Sequence, residues 1–88
     1  MRTVLLDGDC GGAEACRRLG VHLEVATAIN LDALWDVLRT DARGPFEIVW
    51  RDHAAAQARL GPEYDRLVAL FTRLAAERRD VRDRKSVV

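Results

Sequence analysis

Asn30-Leu31-Asp32-Ala33-Leu34-Trp35-Asp36-Val37-Leu38 is the stretch of this chain in which pattern says most about structure. Asn30 is a residue type whose side-chain oxygen caps a helix start, and the residues after it are helix-compatible. At about 100° per residue, a helix over 31–39 gathers Leu31, Leu34 and Leu38 on one side, with Val37 at the margin. Asp32, Asp36 and Arg39 gather on a different side, and Trp35 stands on the boundary. One face therefore belongs to a core, and the next presents two carboxylates beside an indole. Like charges four residues apart weaken a helix by about a few tenths of a kcal/mol. Asp32, in the first turn, recovers part of that from the helix dipole, whereas Asp36 lies too far in to gain much. Arg39 is placed to offset Asp36.

Working outward, Gly44-Pro45 ends this region. Phe46-Glu47-Ile48-Val49-Trp50 follows, aromatic and β-branched, and is read as a strand. His53–Leu60 is an Ala-rich helix with Asp52 as its cap. Gly61-Pro62 then pairs a helix stop with a first-turn residue. A second helix is expected over 63–79, with Leu67, Leu70, Phe71 and Leu74 forming an apolar stripe. The end, 80–88, mixes charges with Val81, Val87 and Val88 and is read as a third strand, which needs Val87 and Val88 to dock on the sheet. On the other side, 21–28 is ambiguous, and Gly20 is read as the stop of a helix over 13–19. Arg2–Leu6 is a buried strand running into the turn cluster Asp7-Gly8-Asp9. Strands separated by helical stretches predict an α/β fold, a small three-stranded parallel sheet packed by helices.

The chain has 88 residues, enough for one domain over 1–88. Hydrophobic residues make up 49% and the 14 basic and 14 acidic groups cancel, so disorder is not expected. A nucleic-acid module would carry a basic excess, so no direct nucleic-acid partner is expected. No apolar run reaches the roughly 20 residues that span a bilayer, and no membrane partner is expected. The first residues lack the apolar region of a signal peptide, so a cytoplasmic chain with reduced thiols is expected. The neutral total hides an asymmetry. Residues 1–36 carry six acidic and three basic groups, and residues 73–88 carry three acidic and six basic groups.

From the residues alone, the Asp32/Asp36 face has two readings. It is either an ordinary solvated acidic face or a docking face for a cationic partner. Paired carboxylates also serve acid–base catalysis, but side chains four apart on an exposed helix make a poor enclosed active site. His22 and His53 lie far apart, with no Cys at zinc spacing, and read as ordinary rather than metal-binding. Arg78-Arg79, Arg82 and Arg84-Lys85, interrupted by Asp80 and Asp83, read as a solvated helix end.

The nine residues from Asn30 to Leu38 closely resemble the N-L-D-A-L-W-D-x-L signature of barstar-like ribonuclease inhibitors. The order of elements is similar too, and Pro45 and Trp50-Arg51 fall at the spacing that family shows. The resemblance implies a barstar-like fold, no cofactor and no catalytic activity. It implies an intracellular antitoxin or immunity protein that blocks a small guanyl-specific ribonuclease, or a related toxin, with its acidic helix. By position, Asp36 corresponds to the residue that occupies the phosphate site and meets Arg and His side chains. Asp32 corresponds to its neighbour at the basic rim. Trp35 supports the helix and adds an edge contact, and Asn30, Ala33 and Thr40 fall where the family makes further contacts. This sequence departs from the family in six respects. Ala26-Thr27-Ala28-Ile29 replaces an aromatic- and Gly-containing stretch, Asp41 stands where an aromatic is usual, Arg73 replaces an acidic residue, the chain is neutral where relatives are often acidic, the final stretch 81–88 is charged where an apolar strand is usual, and the first helix is two or three residues short.

Two alternatives remain at this level. One is the same fold with a different enzyme or toxin as target, motivated by 26–29 and the neutral charge. The other is a thiol–disulfide oxidoreductase using Cys10 and Cys16, since Asp7-Gly8-Asp9-Cys10 resembles the start of such a motif. The second thiol belongs one helical turn on, and Ala13 occupies that position.

Overall fold

The computed structural model describes residues 2–8 and 11–86. The elements run β1 (Arg2–Leu6), α1 (Gly12–Leu23), α2 (Leu31–Asp36), a π-helical turn (Val37–Asp41), β2 (Phe46–Arg51), α3 (His53–Leu60), α4 (Pro62–Glu77) and β3 (Val81–Ser86). The strands form one three-stranded sheet in the order β1-β2-β3, and both pairs are parallel. A parallel neighbour cannot be reached by a tight turn, and here each connection carries helices. The expected α/β architecture, a small parallel sheet packed by helices, is the one observed.

β2 is the central strand. Its alternate residues Phe46, Ile48 and Trp50 are buried, joined by Val4 and Leu6 of β1 and Val81 of β3. From α4, Tyr64, Leu67, Phe71 and Leu74 close over them. The Trp50 ring lies 5.0 Å from Tyr64 and 6.1 Å from Phe71, in tilted arrangements that suit the ring quadrupoles. Its indole N–H donates to the Asp7 carbonyl at 3.1 Å, so the largest core side chain leaves no polar atom unsatisfied. Leu70, expected within the α4 stripe, is only half-buried. It stands at the stripe's edge, on the side facing α2.

Three expectations about helix ends are corrected. Gly20 does not stop α1; the helix runs on to Leu23 and closes at Glu24, in the left-handed region at φ 57°. Gly20 is needed for a close approach instead. A Cβ there would stand 3.0 Å from the Thr27 hydroxyl oxygen and 3.3 Å from the Val25 carbonyl. Asp52 precedes α3 but makes no side-chain capping bond, because its backbone is left-handed (φ 53°) and a side-chain cap needs it extended. α4 ends at Glu77 rather than at residue 79.

Val87 and Val88, expected to dock the last strand, lie outside the described residues. β3 pairs along β2 from Phe46–Val81 to Arg51–Ser86 through its backbone. Its exposed Arg82 and Arg84 follow from its place at a sheet edge, where charge discourages further strand pairing.

Two outcomes follow from this core and its surface. Phe71→Ala lowers unfolding free energy by about 3–5 kcal/mol in chemical denaturation, through a cavity beside Trp50. Glu14 accepts hydrogen bonds from Arg17 and Arg18, which hold its carboxyl down to about 2 from the usual 4.5. A lowered folded-state value means stability present above pH 4.5 and lost as pH falls toward 2, and a carboxyl NMR titration with acid unfolding checks both.

Candidate protein-docking face

α2 is short and held at both ends. Asn30 has the expected capping geometry: its backbone is extended, and its side-chain oxygen accepts from the Ala33 N–H at 2.8 Å. Leu34 and Leu38 are buried at 1% and 0% exposure and pin the segment to the core. After Asp36 the backbone widens into the π turn, closed by the Ala42 N–H donating to the Val37 carbonyl at 2.9 Å. The expected continuous α-helix over 31–39 is therefore corrected to one α segment and a wider turn. Such turns are local insertions into helices and are frequent at functional sites.

Two side chains stabilise that wider turn. Thr40 donates its hydroxyl hydrogen to the Asp36 carbonyl at 2.6 Å. Arg78, from beyond α4, donates through one guanidinium nitrogen to the Leu38 carbonyl at 2.6 Å and the Ala42 carbonyl at 2.8 Å. The rest of that guanidinium pairs with Asp80 at 2.7 Å and lies over the Phe46 ring, 5.4 Å from its centroid. Arg78 is thus not part of a solvated helix end. It ties the site to the start of β3, and it holds the Asp80 carboxyl below the usual carboxylate range.

The sequence-designated residues fall as follows. Asp32 and Asp36 are both exposed on the outward side of α2, and among the described residues neither carboxylate has an ion-pair or hydrogen-bond partner. Arg39 was expected to offset Asp36; it is exposed and makes no such pair, because the π turn begins between the two. Trp35 and Ala33 are half-buried, and Asn30 and Thr40 are exposed with their oxygens engaged as described. Trp35 borders a cleft of about 280 Å³ between α2 and α4, lined by Leu31, Asp32, Arg66, Ala69, Leu70 and Arg73. The Arg73 guanidinium sits over the Trp35 ring, 4.7 Å from its centroid. Asp36 stands outside this cleft, one helical turn beyond Asp32.

Sequence reasoning missed Arg66 as a site residue and missed the anchoring by Arg78. Arg66 and Arg73 are seven apart, with Ala69 and Leu70 between them, a spacing that marks one helix face. Nothing in the spacing of Arg78 marks its long-range partners. Of the two thiols, Cys10 lies outside the described residues. Cys16 is buried, and burial raises its pKa, which disfavours the thiolate that redox exchange requires.

A family model described as Barstar (barnase inhibitor) matches residues 17–88, a span that includes the acidic helix, β2, α4 and β3. No curated protein matches the chain.

The anchors have measurable weight. Asn30→Ala removes the cap and costs about 1 kcal/mol of stability. Arg78→Ala leaves two carbonyls at the π turn without their donor and costs about 1–3 kcal/mol. Denaturant titration of each variant checks the values. Hydrogen exchange at 37–42 locates the Arg78 effect, which should appear there as lost protection.

Proposed function

Because the chain belongs to the barstar family, whose members are inhibitors and not enzymes, we propose that it is an antitoxin that binds a small guanyl-specific ribonuclease and blocks its active site with α2. The family assignment also removes the thiol–disulfide oxidoreductase alternative. The observation that carries the reading is the pair of exposed carboxylates, Asp32 and Asp36, without counter-ions among the described residues, on a helix anchored at both ends. A ribonuclease active site binds phosphodiester anions and is lined by cations. A carboxylate accepts the same bidentate Arg hydrogen bonds that a phosphate does.

In this reading Asp36 is the phosphate mimic, and Asp32, one turn earlier, meets basic groups at the rim. Trp35 supplies apolar area at the edge. Ala33 is small enough to let the enzyme surface approach the helix. Asn30 keeps its amide N–H groups for a partner while its oxygen caps the helix, and Thr40 keeps its hydroxyl lone pairs. The helix is already fixed, so binding orders little of the inhibitor's backbone, and less of the interaction energy is lost to entropy. An antitoxin acts in the compartment where the ribonuclease is made, which places this one in the cytoplasm. Among the described residues no helix is long and apolar enough to cross a membrane.

A second reading keeps the fold and changes the target to another enzyme or toxin. It is favoured by Ile29, which is 91% exposed immediately before the capping Asn30. An apolar side chain presented so fully beside the acidic helix suits a partner with an apolar pocket there.

Titration into active guanyl-specific ribonucleases decides between these readings. The chain should abolish activity at stoichiometric ratio. Asp36→Ala should weaken binding by about 2–5 kcal/mol, the range for truncating one partner of a buried charge pair, drawn in part from barnase–barstar itself. Undiminished activity of every such enzyme in the presence of excess inhibitor would refute the ribonuclease reading.

A further inference from the structure

The charges beside the acidic helix are of the opposite sign, and they bear on which enzyme can be bound. Arg66 and Arg73 stand on the same face of α4, on the wall of the cleft opposite α2. Both are exposed, and they are separated by two helical turns, about 10 Å along the axis. The floor between them is Ala69 and Leu70, small or apolar. Arg66 makes no ion pair among the described residues. Arg73 reaches Glu77 only at 3.8 Å, with its own side chain 71% exposed, a geometry that neutralises little. Asp32 lines the same cleft but pairs with neither arginine. Stacking on Trp35 holds the Arg73 guanidinium in place, so its presentation is built into the fold rather than left to a free side chain.

We infer that the α2–α4 cleft is a second, cationic half of the docking surface, and that it receives an acidic side chain, Asp or Glu, from the rim of the partner ribonuclease. This rests on the inhibitor reading given above and narrows it to enzymes with a particular charge pattern. The partner must present cations to Asp32 and Asp36 and an anion to Arg66 and Arg73. A partner that is basic over its whole contact area would meet the carboxylates well and be repelled by α4. The carboxylate of a Glu or Asp entering over Leu70 can reach either guanidinium, and Arg offers the planar donor pair that suits it. The apolar floor accommodates the stem of that side chain. With a neutral chain providing little long-range attraction, discrimination falls to this short-range pattern of both signs.

The test uses purified guanyl-specific ribonucleases that differ in rim charge, and the intact chain as wild type, as the double variant Arg66→Glu/Arg73→Glu, and as Asp36→Ala. Both arginines are exposed, and circular dichroism melting confirms that the double variant folds. The wild-type chain should inhibit best the enzyme that carries a rim Asp or Glu. The double reversal should weaken that complex roughly tenfold or more in low salt and less in about 1 M salt. Changing the enzyme's rim acid to Lys should restore binding to the reversed variant. Asp36→Ala should weaken binding to every enzyme alike. If the double reversal leaves inhibition unchanged or improves it while Asp36→Ala abolishes it, the cationic half is overturned and the inhibitor reading stands. If the wild-type chain in excess inhibits none of the enzymes, the inhibitor reading fails, and this inference with it.

Discussion

The structure depends on the burial of Leu34 and Leu38. Their side chains are four residues apart and belong in the core under α4 and the sheet, and that sets the rotation of α2 about its axis. Once the rotation is set, Asp32 and Asp36 have no choice but to face solvent. The same requirement places Trp35 at the seam with α4, where Arg73 covers its outer face. Exposed carboxylates four apart gain nothing from each other. The core pays for their placement, and the ends of the segment hold it there. The Asn30 cap fixes the start, and the Arg78 guanidinium fixes the end, taking two carbonyls that a regular helix would have directed to its own backbone. The proposed docking face is therefore a by-product of packing on its inner side, which is what makes it rigid.

Much of this was legible in the sequence, for identifiable reasons. β2 could be read because its alternating buried residues are aromatic or β-branched and its ends are marked by Gly44-Pro45 and Asp52. The start of α2 could be read because Asn30 solves a local problem, an orphan N–H, with a local group. The features that escaped are those decided by distant atoms. Gly20 looked like a helix stop, but it is small because 25–27 folds back over it. Of the two side chains that stabilise the π turn, Thr40 is local but Arg78 stands forty residues away from Leu38, so the turn could not be read from its own sequence. The basic stretch after α4 looked uniform, yet one of its arginines is a fold-building residue and its neighbours are edge charges. Asp32, Asp36 and Trp35 were identified from periodicity and from the family signature together. Arg66 was not, because its significance comes from what α2 places across the cleft.

The zero net charge takes on a different meaning in three dimensions. An inhibitor with a large negative charge gains association rate by steering a basic enzyme toward it over a Debye length. This chain has little such field. Its Asp32 carboxylate and the Arg66 and Arg73 guanidinium groups instead line one cleft between α2 and α4, where charge acts mainly on fit and dissociation. In the complex we propose, this arrangement favours selectivity among enzymes over speed of capture, a division of labour between short- and long-range electrostatics that composition alone cannot display.

In the complex we propose, α2 enters the phosphate-binding site of the ribonuclease. Calorimetric titration of the chain into a guanyl-specific ribonuclease, with and without a saturating guanine mononucleotide in the active site, tests it directly. Mutual exclusion is predicted, with the apparent affinity of the chain falling in proportion to nucleotide saturation. Unchanged affinity on the nucleotide-loaded enzyme would mean that the acidic helix docks elsewhere, and would contradict the account.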